Sequence, residues 1–372
     1  MEYDSPFGRF TLLPLHHHPK SPLQAWSAAD DLLLKELASL EPAPQRILIV
    51  NDAHGALGTC LHHRRPYSWN DSYCSKLSLQ QNLHRNQLPF SPEHWLDATE
   101  LPKDLFDAVL IKIPKTLALL EYQLTRLRPM LSAQTRIIGA GMVKHLSKSM
   151  VQVFEQCIGP THTSLATRKA RLVFSQFDAT LNPLTPQPTR YSVPGTELEL
   201  VNYPGVFSQQ KLDLGTRFLL EHFPDASAAE HIIDLGCGNG ALACFAARHN
   251  PGAHLSLLDD SWLALQSARE TIELNKIPNP CELIASDGLD GFEDKADLIL
   301  CNPPFHEGTR LDSNIALRMF KGAKRCLNDE GKLVVVGNRH LDYHQTLRAH
   351  FKAVELCASN PKFVVISASR PR

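Results

Sequence analysis

Short apolar runs alternate along this chain with stretches of mixed polarity, and glycines or acidic residues cluster where the apolar runs stop. In the second half, His231-Ile232-Ile233-Asp234, His254-Leu255-Ser256-Leu257-Leu258, Asp297-Leu298-Ile299-Leu300-Cys301 and Leu333-Val334-Val335-Val336 read as buried strands. Ala241 to Ala247 reads as a helix of small residues packed close to the first of them, and a further helix is expected from Trp262 to about Asn275. Strands that alternate with helices predict an α/β fold around a largely parallel sheet.

The same pattern occurs twice. Arg46-Ile47-Leu48-Ile49-Val50 and the following Asn51-Asp52-Ala53-His54-Gly55-Ala56-Leu57 echo the strand and loop around Asp234, down to a shared Gly-Ala-Leu. Phe106 to Pro114 echoes Ala296 to Pro303, and Arg136 to Leu146 echoes Lys332 to Leu341. Between the copies, Asn182-Pro183-Leu184-Thr185-Pro186-Gln187-Pro188 lacks periodicity and reads as a semi-rigid connector. The expected organisation is therefore a domain at 1–182, a linker at 183–190 and a second domain at 191–372, each long enough for its own core.

Composition narrows the class. No run of about 18 apolar residues is present, and the N-terminus lacks the apolar segment of a signal peptide, so a cytoplasmic protein without membrane contact is expected. Nine cysteines, an odd number without a C-x-x-C pair, suggest reduced thiols. Cys60, Cys74 and the nearby histidines match no zinc-site spacing, so no metal is expected. Residues 1–190 carry 20 Lys and Arg against 16 Asp and Glu, whereas the remainder carries 18 against 23. A mildly basic first half beside an acidic second half fits a nucleic-acid grip on the former. Arg64 and Arg65, near Tyr67 and Trp69, and the Arg168-Lys169-Arg171 group are the candidate contacts; an ordinary solvated face is the competing reading.

Chemistry concentrates in the second copy. In Asp234-Leu235-Gly236-Cys237-Gly238-Asn239-Gly240 the chain must turn from strand to helix and let a ligand touch its backbone, which favours residues without Cβ atoms. The third glycine comes one residue too early for a dinucleotide fingerprint, and the preceding carboxylate would repel a pyrophosphate. Asp259 ends the next strand, 25 residues after Asp234, where it can accept ribose hydroxyls or cap the helix that follows. Asp287 ends a third strand, as a base contact or as a turn residue. Asn302-Pro303-Pro304-Phe305 follows 68 residues after Asp234.

In this order and spacing the two motifs resemble those of Class I S-adenosylmethionine-dependent methyltransferases acting on a planar nitrogen. The resemblance implies that Asp234 faces the methionyl ammonium, Asp259 the ribose and Asp287 the adenine amino group. The Asn302 side-chain oxygen and the Pro303 carbonyl would hold the two N–H bonds of an exocyclic amine, so that its lone pair leaves the ring system, and Phe305 would stack on the base. Such catalysis is mostly alignment and electrostatics. Adenine N6 and glutamine methylation use a related loop, usually with Tyr in place of Phe305.

The first copy lacks this chemistry. Ala53 and His54 stand where the glycine-rich turn should form, and Lys112-Ile113-Pro114-Lys115 replaces Asn-Pro-Pro-Phe. The amine acceptors are gone and two cations, Lys112 and Lys115, appear, which suits a degenerate domain that binds RNA phosphate or only buttresses the other.

A closer resemblance covers nearly the whole chain. Leu23 to Asp30, Asn51 to Leu57, Pro204-Gly205-Val206-Phe207-Ser208, Leu212 to Arg217, Asn302 to His306 and Asn338-Arg339-His340-Leu341-Asp342-Tyr343 are similar to segments of the duplicated-domain bacterial ribosomal RNA guanine-N2 methyltransferases. The N-terminal segments and the Asn338–Tyr343 run look most like the branch that acts on large-subunit RNA. The family implies two tandem Class I, Rossmann-like domains with a degenerate N-terminal copy, and a seven-stranded sheet whose last strand, Lys362 to Ser367, runs antiparallel. It also implies a cofactor lid formed by Phe207, Ser208 and the Asp213-Leu214-Gly215-Thr216 segment, with Arg339 and His340 near the target base or its phosphate. The expected cofactor is S-adenosylmethionine, bound by Phe207, Ser208, Asp213, Gly215, Asp234, Gly236, Gly238, Asp259, Asp287 and Asn302. The expected partner is 23S rRNA in a naked or partly assembled state, since a paired guanine hides its amino group. A 16S rRNA guanine, or a non-catalytic role in RNA binding and ribosome assembly, are the alternatives.

Overall fold

The computed structural model describes residues 1–304 and 310–372, so Phe305 lies outside the described residues. The chain divides into two compact units, Met1–Gln187 and Pro188–Arg372. The boundary falls within the expected linker, although Thr189–Ser192 already forms one strand of a hairpin with Glu199–Asn202.

In the first unit, helix α1 (Ala28–Ser39) precedes strand β1 (Ile47–Val50), and helix α2 (Ala56–Cys60) leaves it. The other strands of its sheet are β2 (Tyr67–Asn70), β3 (Trp95–Asp97), β4 (Ala108–Lys112), β5 (Arg136–Met142), β6 (Thr161–Thr163) and β7 (Ala170–Ser175). Their order is β3-β2-β1-β4-β5-β7-β6. The second unit has helix α3 (Leu214–Glu221), then β8 (His231–Leu235), α4 (Ala241–His249), β9 (His254–Asp259), α5 (Trp262–Leu274) and β10 (Cys281–Ala285). It continues with β11 (Ala296–Cys301), α6 (Arg310–Cys326), β12 (Leu327–Asn338), β13 (Phe351–Ser359) and β14 (Phe363–Pro371). Its sheet order, β10-β9-β8-β11-β12-β14-β13, repeats the first.

Both sheets are parallel except for one strand. In the second unit β14 runs antiparallel to both β12 and β13, as the family resemblance implies. The apolar runs are central strands because helices cover both faces. Ile233, Leu235, Ile299 and Val335 pack towards α6, while Ile232, Leu298, Leu300, Val334 and Val336 pack towards α3 and α4. Burial at roughly 25 cal/mol per Å² of apolar surface holds these layers together. The strand order reverses between β8 and β11, so the carboxyl ends of these two strands flank the crevice expected at such a switch point.

Candidate active site

Three left-handed glycines shape the loop that leaves β8: Gly236 at φ +74°, Gly238 at φ +53° and Gly240 at φ +78°. A Cβ on Gly240 would come within 3.1 Å of the Ala268 Cβ, so this glycine permits α4 to pack against α5. A Cβ on Gly238 would meet nothing within 4 Å, because Gly238 faces open space. That space is a cleft of about 410 Å³, lined on the loop side by Asp234, Gly236, Gly238 and Asn239. Phe207, Ser208, Asp213, Thr216 and Asn302 close its other side. Six residues expected to bind the cofactor, from three separate segments, thus meet with Asn302 around one cavity.

Asp234 is buried, and its Oδ2 accepts the Ala243 N–H at 3.0 Å, which ties the carboxylate to the first turn of α4. Burial pushes its carboxyl up to about 8, opposed by the Ala243 N–H. An isolated buried carboxylate of this kind favours a cationic neighbour. Asp259 uses both oxygens to accept backbone N–H groups, from Gly238 at 2.8 Å and Ser261 at 2.9 Å. Burial raises it to about 6 against those hydrogen bonds. Asp259 does not cap α5; that role belongs to Ser261, whose side chain accepts the Ala264 N–H. Each carboxylate oxygen keeps a second lone pair, which leaves acceptor capacity for hydroxyls.

Asn302 follows the end of β11. Its Nδ2 donates to Thr216 Oγ1 at 2.9 Å and Asp213 Oδ2 at 3.1 Å, at the start of α3. Asp213 caps that helix by accepting the Thr216 N–H at 2.8 Å. The Asn302 amide is therefore oriented: its nitrogen is committed to α3, and its Oδ1, buried, receives no hydrogen bond among the described residues. A buried acceptor left unmet costs about 1–3 kcal/mol, and a ligand N–H would recover it.

Other expected residues sit differently. Gly215 is buried in the first turn of α3 and does not line the cleft, whereas Thr216, one residue on, does. The sequence signal was available, since the first and fourth positions of an N-terminal helical turn share a face. Asp287 is outside the lining, and both its oxygens accept from Arg318 Nη1 at 2.8 Å, a partner on α6 that no local pattern indicates. The sequence reading also missed Tyr191. Its hydroxyl donates to the Ser208 carbonyl at 2.9 Å and accepts from Asn239 Nδ2 at 3.3 Å, which links the Phe207-Ser208 segment to the glycine loop. Asn239 further donates to Asn202 at 2.7 Å.

In the first unit the corresponding side chains bond to one another. Lys112, expected to face RNA phosphate, is instead turned inward, its Nζ 2.6 Å from Asp30 Oδ2 and 3.2 Å from Ser27 Oγ. Ser27 and Asp30 occupy the cap and third positions of α1, as Asp213 and Thr216 do in α3. Asp52 lies in the loop and not on the strand, yet it accepts the Ala56 and Gly58 N–H groups. Asn51 at φ +63° and Gly55 at φ +69° keep two left-handed positions of a turn that the sequence suggested was lost. Asn51 also exchanges paired amide hydrogen bonds with Gln123, both at 2.8 Å. Of the other candidate RNA contacts, Arg65, Lys115, Arg168, Lys169 and Arg339 are exposed. Arg168 lies 3.1 Å from Asp31, and Arg64 donates to the Pro44 carbonyl. Among the described residues no group of three or more His, Cys, Asp or Glu side chains is placed to hold a metal, and no helix is long and apolar enough to cross a membrane.

A seven-stranded sheet of this order, with a glycine loop, strand-end carboxylates and an anchored Asn-Pro-Pro beyond the fourth strand, defines a Class I methyltransferase fold and cleft. Residues 1–179 match the RLMG N-terminal domain, and residues 197–367 match the methyltransferase small domain. The chain is 43% identical over 366 residues to the ribosomal RNA large subunit methyltransferase G of Stutzerimonas stutzeri, spanning 98% of each sequence. It is 42% identical to the protein of that name from Pseudomonas aeruginosa, spanning 99% of each. Among solved structures, the T. thermophilus 16S rRNA N2 methyltransferase RsmC, in complex with AdoMet and guanosine, shares the fold. Its TM-score is 0.77 at 22% identity, over 100% of this chain and 97% of that one. The chain belongs to the ribosomal RNA large subunit methyltransferase G family.

Proposed function

We propose that this protein transfers a methyl group from S-adenosylmethionine to the exocyclic N2 of one guanine in 23S rRNA. The observation that carries the reading is the Asn302 side chain, its nitrogen tied to Asp213 and Thr216 and its buried Oδ1 without a donor among the described residues.

The cleft residues fit the methyl donor. Gly236 and Gly238 leave its floor free of side chains and Asp234 would balance the methionyl ammonium, while Asp259, outside the lining but bonded to the Gly238 N–H, would accept ribose hydroxyls. Phe207 and Ser208, held by Tyr191, would close over it and exclude water. When bound, the cofactor supplies an electrophilic methyl group. Asn302 Oδ1 and the Pro303 carbonyl would accept the two N–H bonds of the guanine amine. That holds the nitrogen pyramidal, with its lone pair out of conjugation, and the rate gain comes from alignment and fixed dipoles. The amine loses its proton readily once alkylated, so no side chain need act as base. Asp287, held by Arg318, would set the adenine end through the backbone that follows β10. Phe305 would stack on the base. Arg65, Lys115, Arg168, Lys169 and Arg339 would contact phosphate, and binding would weaken steeply with salt.

Because the amine must leave a base pair, the substrate is naked or partly assembled 23S rRNA, methylated in the cytoplasm. The test supplies labelled cofactor with purified 23S rRNA, 16S rRNA and mature subunits, followed by nucleoside analysis. N2-methylguanosine should form at one site in protein-free 23S rRNA and vanish with Asn302→Ala. Label in 16S rRNA, or undiminished turnover by Asn302→Ala, would overturn the reading.

A further inference from the structure

Asn338, the last residue of β12, carries a buried Oδ1 that likewise receives no hydrogen bond among the described residues. It precedes the short turn Arg339–Leu341, but its side chain makes no capping hydrogen bond there. A purely local role therefore does not account for an amide at this position.

Its place on the sheet suggests another. Cys301 of β11 pairs with Val335 of β12 in parallel register. Continued one step, that register sets Asn302 beside Val336, and Asn338 lies two residues, about 7 Å, further along the same strand. Side chains two apart on a strand share a face. Val334 and Val336 pack in the α3-side cluster with Phe218 and Leu219, and Asn338 pairs with Phe363, which belongs to the same cluster. Asn302 also reaches that side, where it meets Asp213 and Thr216. Two neighbouring strands thus present two buried, unmet amide oxygens from one face at the carboxyl edge, that of Asn302 and that of Asn338 two positions further along.

We propose that Asn338 determines specificity for guanine, its Oδ1 accepting the N1–H while Asn302 and Pro303 take the two N2–H bonds. This rests on the guanine-N2 reading given above. Guanine presents three adjacent N–H donors on its Watson–Crick edge, whereas 2-aminopurine and 2,6-diaminopurine keep the N2 amine but carry a lone pair at N1. A lone pair facing the Asn338 oxygen would be repelled, so the site rejects a base on which the transferable amine is intact.

The experiment uses the full-length protein and an RNA bearing the mapped target position as guanine or as 2-aminopurine. The native protein should prefer guanine in kcat/KM by about 10- to 100-fold. Asn338→Ala should lose activity on guanine while the two substrates converge, with its S-adenosylmethionine affinity and melting temperature unchanged. Asn338→Asp, which can only accept, should retain the preference for guanine. Equal losses on both bases in Asn338→Ala, or an unchanged preference, would overturn the assignment, as would loss of preference in Asn338→Asp. If native protein methylates no guanine N2, the proposed function itself falls, and the two failures are thereby told apart.

Discussion

Thr216→Val removes one hydroxyl and nearly nothing else. The backbone N–H of residue 216 would still cap onto Asp213 at 2.8 Å, so α3 keeps its start. The Asn302 Nδ2, however, would lose its 2.9 Å acceptor and keep only Asp213 at 3.1 Å. A neutral hydrogen bond contributes about 1 kcal/mol, and an imperfectly held amide samples rotamers in which Oδ1 no longer meets the target amine. A barrier increase of about 1–1.5 kcal/mol corresponds to a roughly 5- to 12-fold slower methyl-transfer step. Single-turnover kinetics at saturating RNA and cofactor would read that step directly. Thr216→Ser retains the hydroxyl and should restore most of the rate. Slowing in Thr216→Ser as large as that in Thr216→Val would mean that keeping the hydroxyl is not enough and that the rate loss does not report the anchor. A full native rate in Thr216→Val would refute the idea that α3 orients Asn302.

Two further outcomes are expected. The Asp234 carboxyl sits at about 8 in the folded protein, above its ordinary 3.8, so it contributes most stability at low pH and loses it as pH rises towards 8. An ammonium ligand reverses this preference by favouring the ionised form. Cofactor affinity should therefore climb between about pH 6 and 7 with release of a proton, which calorimetry in buffers of different ionisation enthalpy would detect; no proton release would contradict the Asp234 assignment. Lys112→Met would leave Asp30 buried without its cation, destabilising the first unit by about 3 kcal/mol and lowering its unfolding midpoint by roughly 6–12 °C. RNA affinity below that transition should stay native; a selective loss of RNA binding in a stable variant would restore the phosphate role for Lys112.

How much could be read from residues alone follows from what each feature depends on. The strands of both sheets are visible because Ile232-Ile233 and Leu298-Ile299-Leu300 are apolar on both faces, a local property. The glycine loop is visible because left-handed backbone at Gly236, Gly238 and Gly240 demands that residue type. Pairings across the chain are not local. Nothing near Lys112 reveals that Asp30, 82 residues away, neutralises it, and nothing near Asp287 points to Arg318. The same limit explains why Tyr191 was missed while Ser208, its hydrogen-bonded partner, was found, and why Thr216 was expected in the lid segment but not as an anchor for Asn302.

The exchange of acid and hydroxyl between the starts of α1 and α3 has an evolutionary corollary. Where Asn302 meets an acid at the cap and a hydroxyl three residues on, Lys112 meets a hydroxyl at the cap and an acid three residues on. Returning an amide to position 112 would strand the Asp30 charge, and neutralising Asp30 first would strand the lysine. Each reverse step passes through a less stable intermediate, so the retired copy is held in retirement by a ratchet of mutually dependent charges.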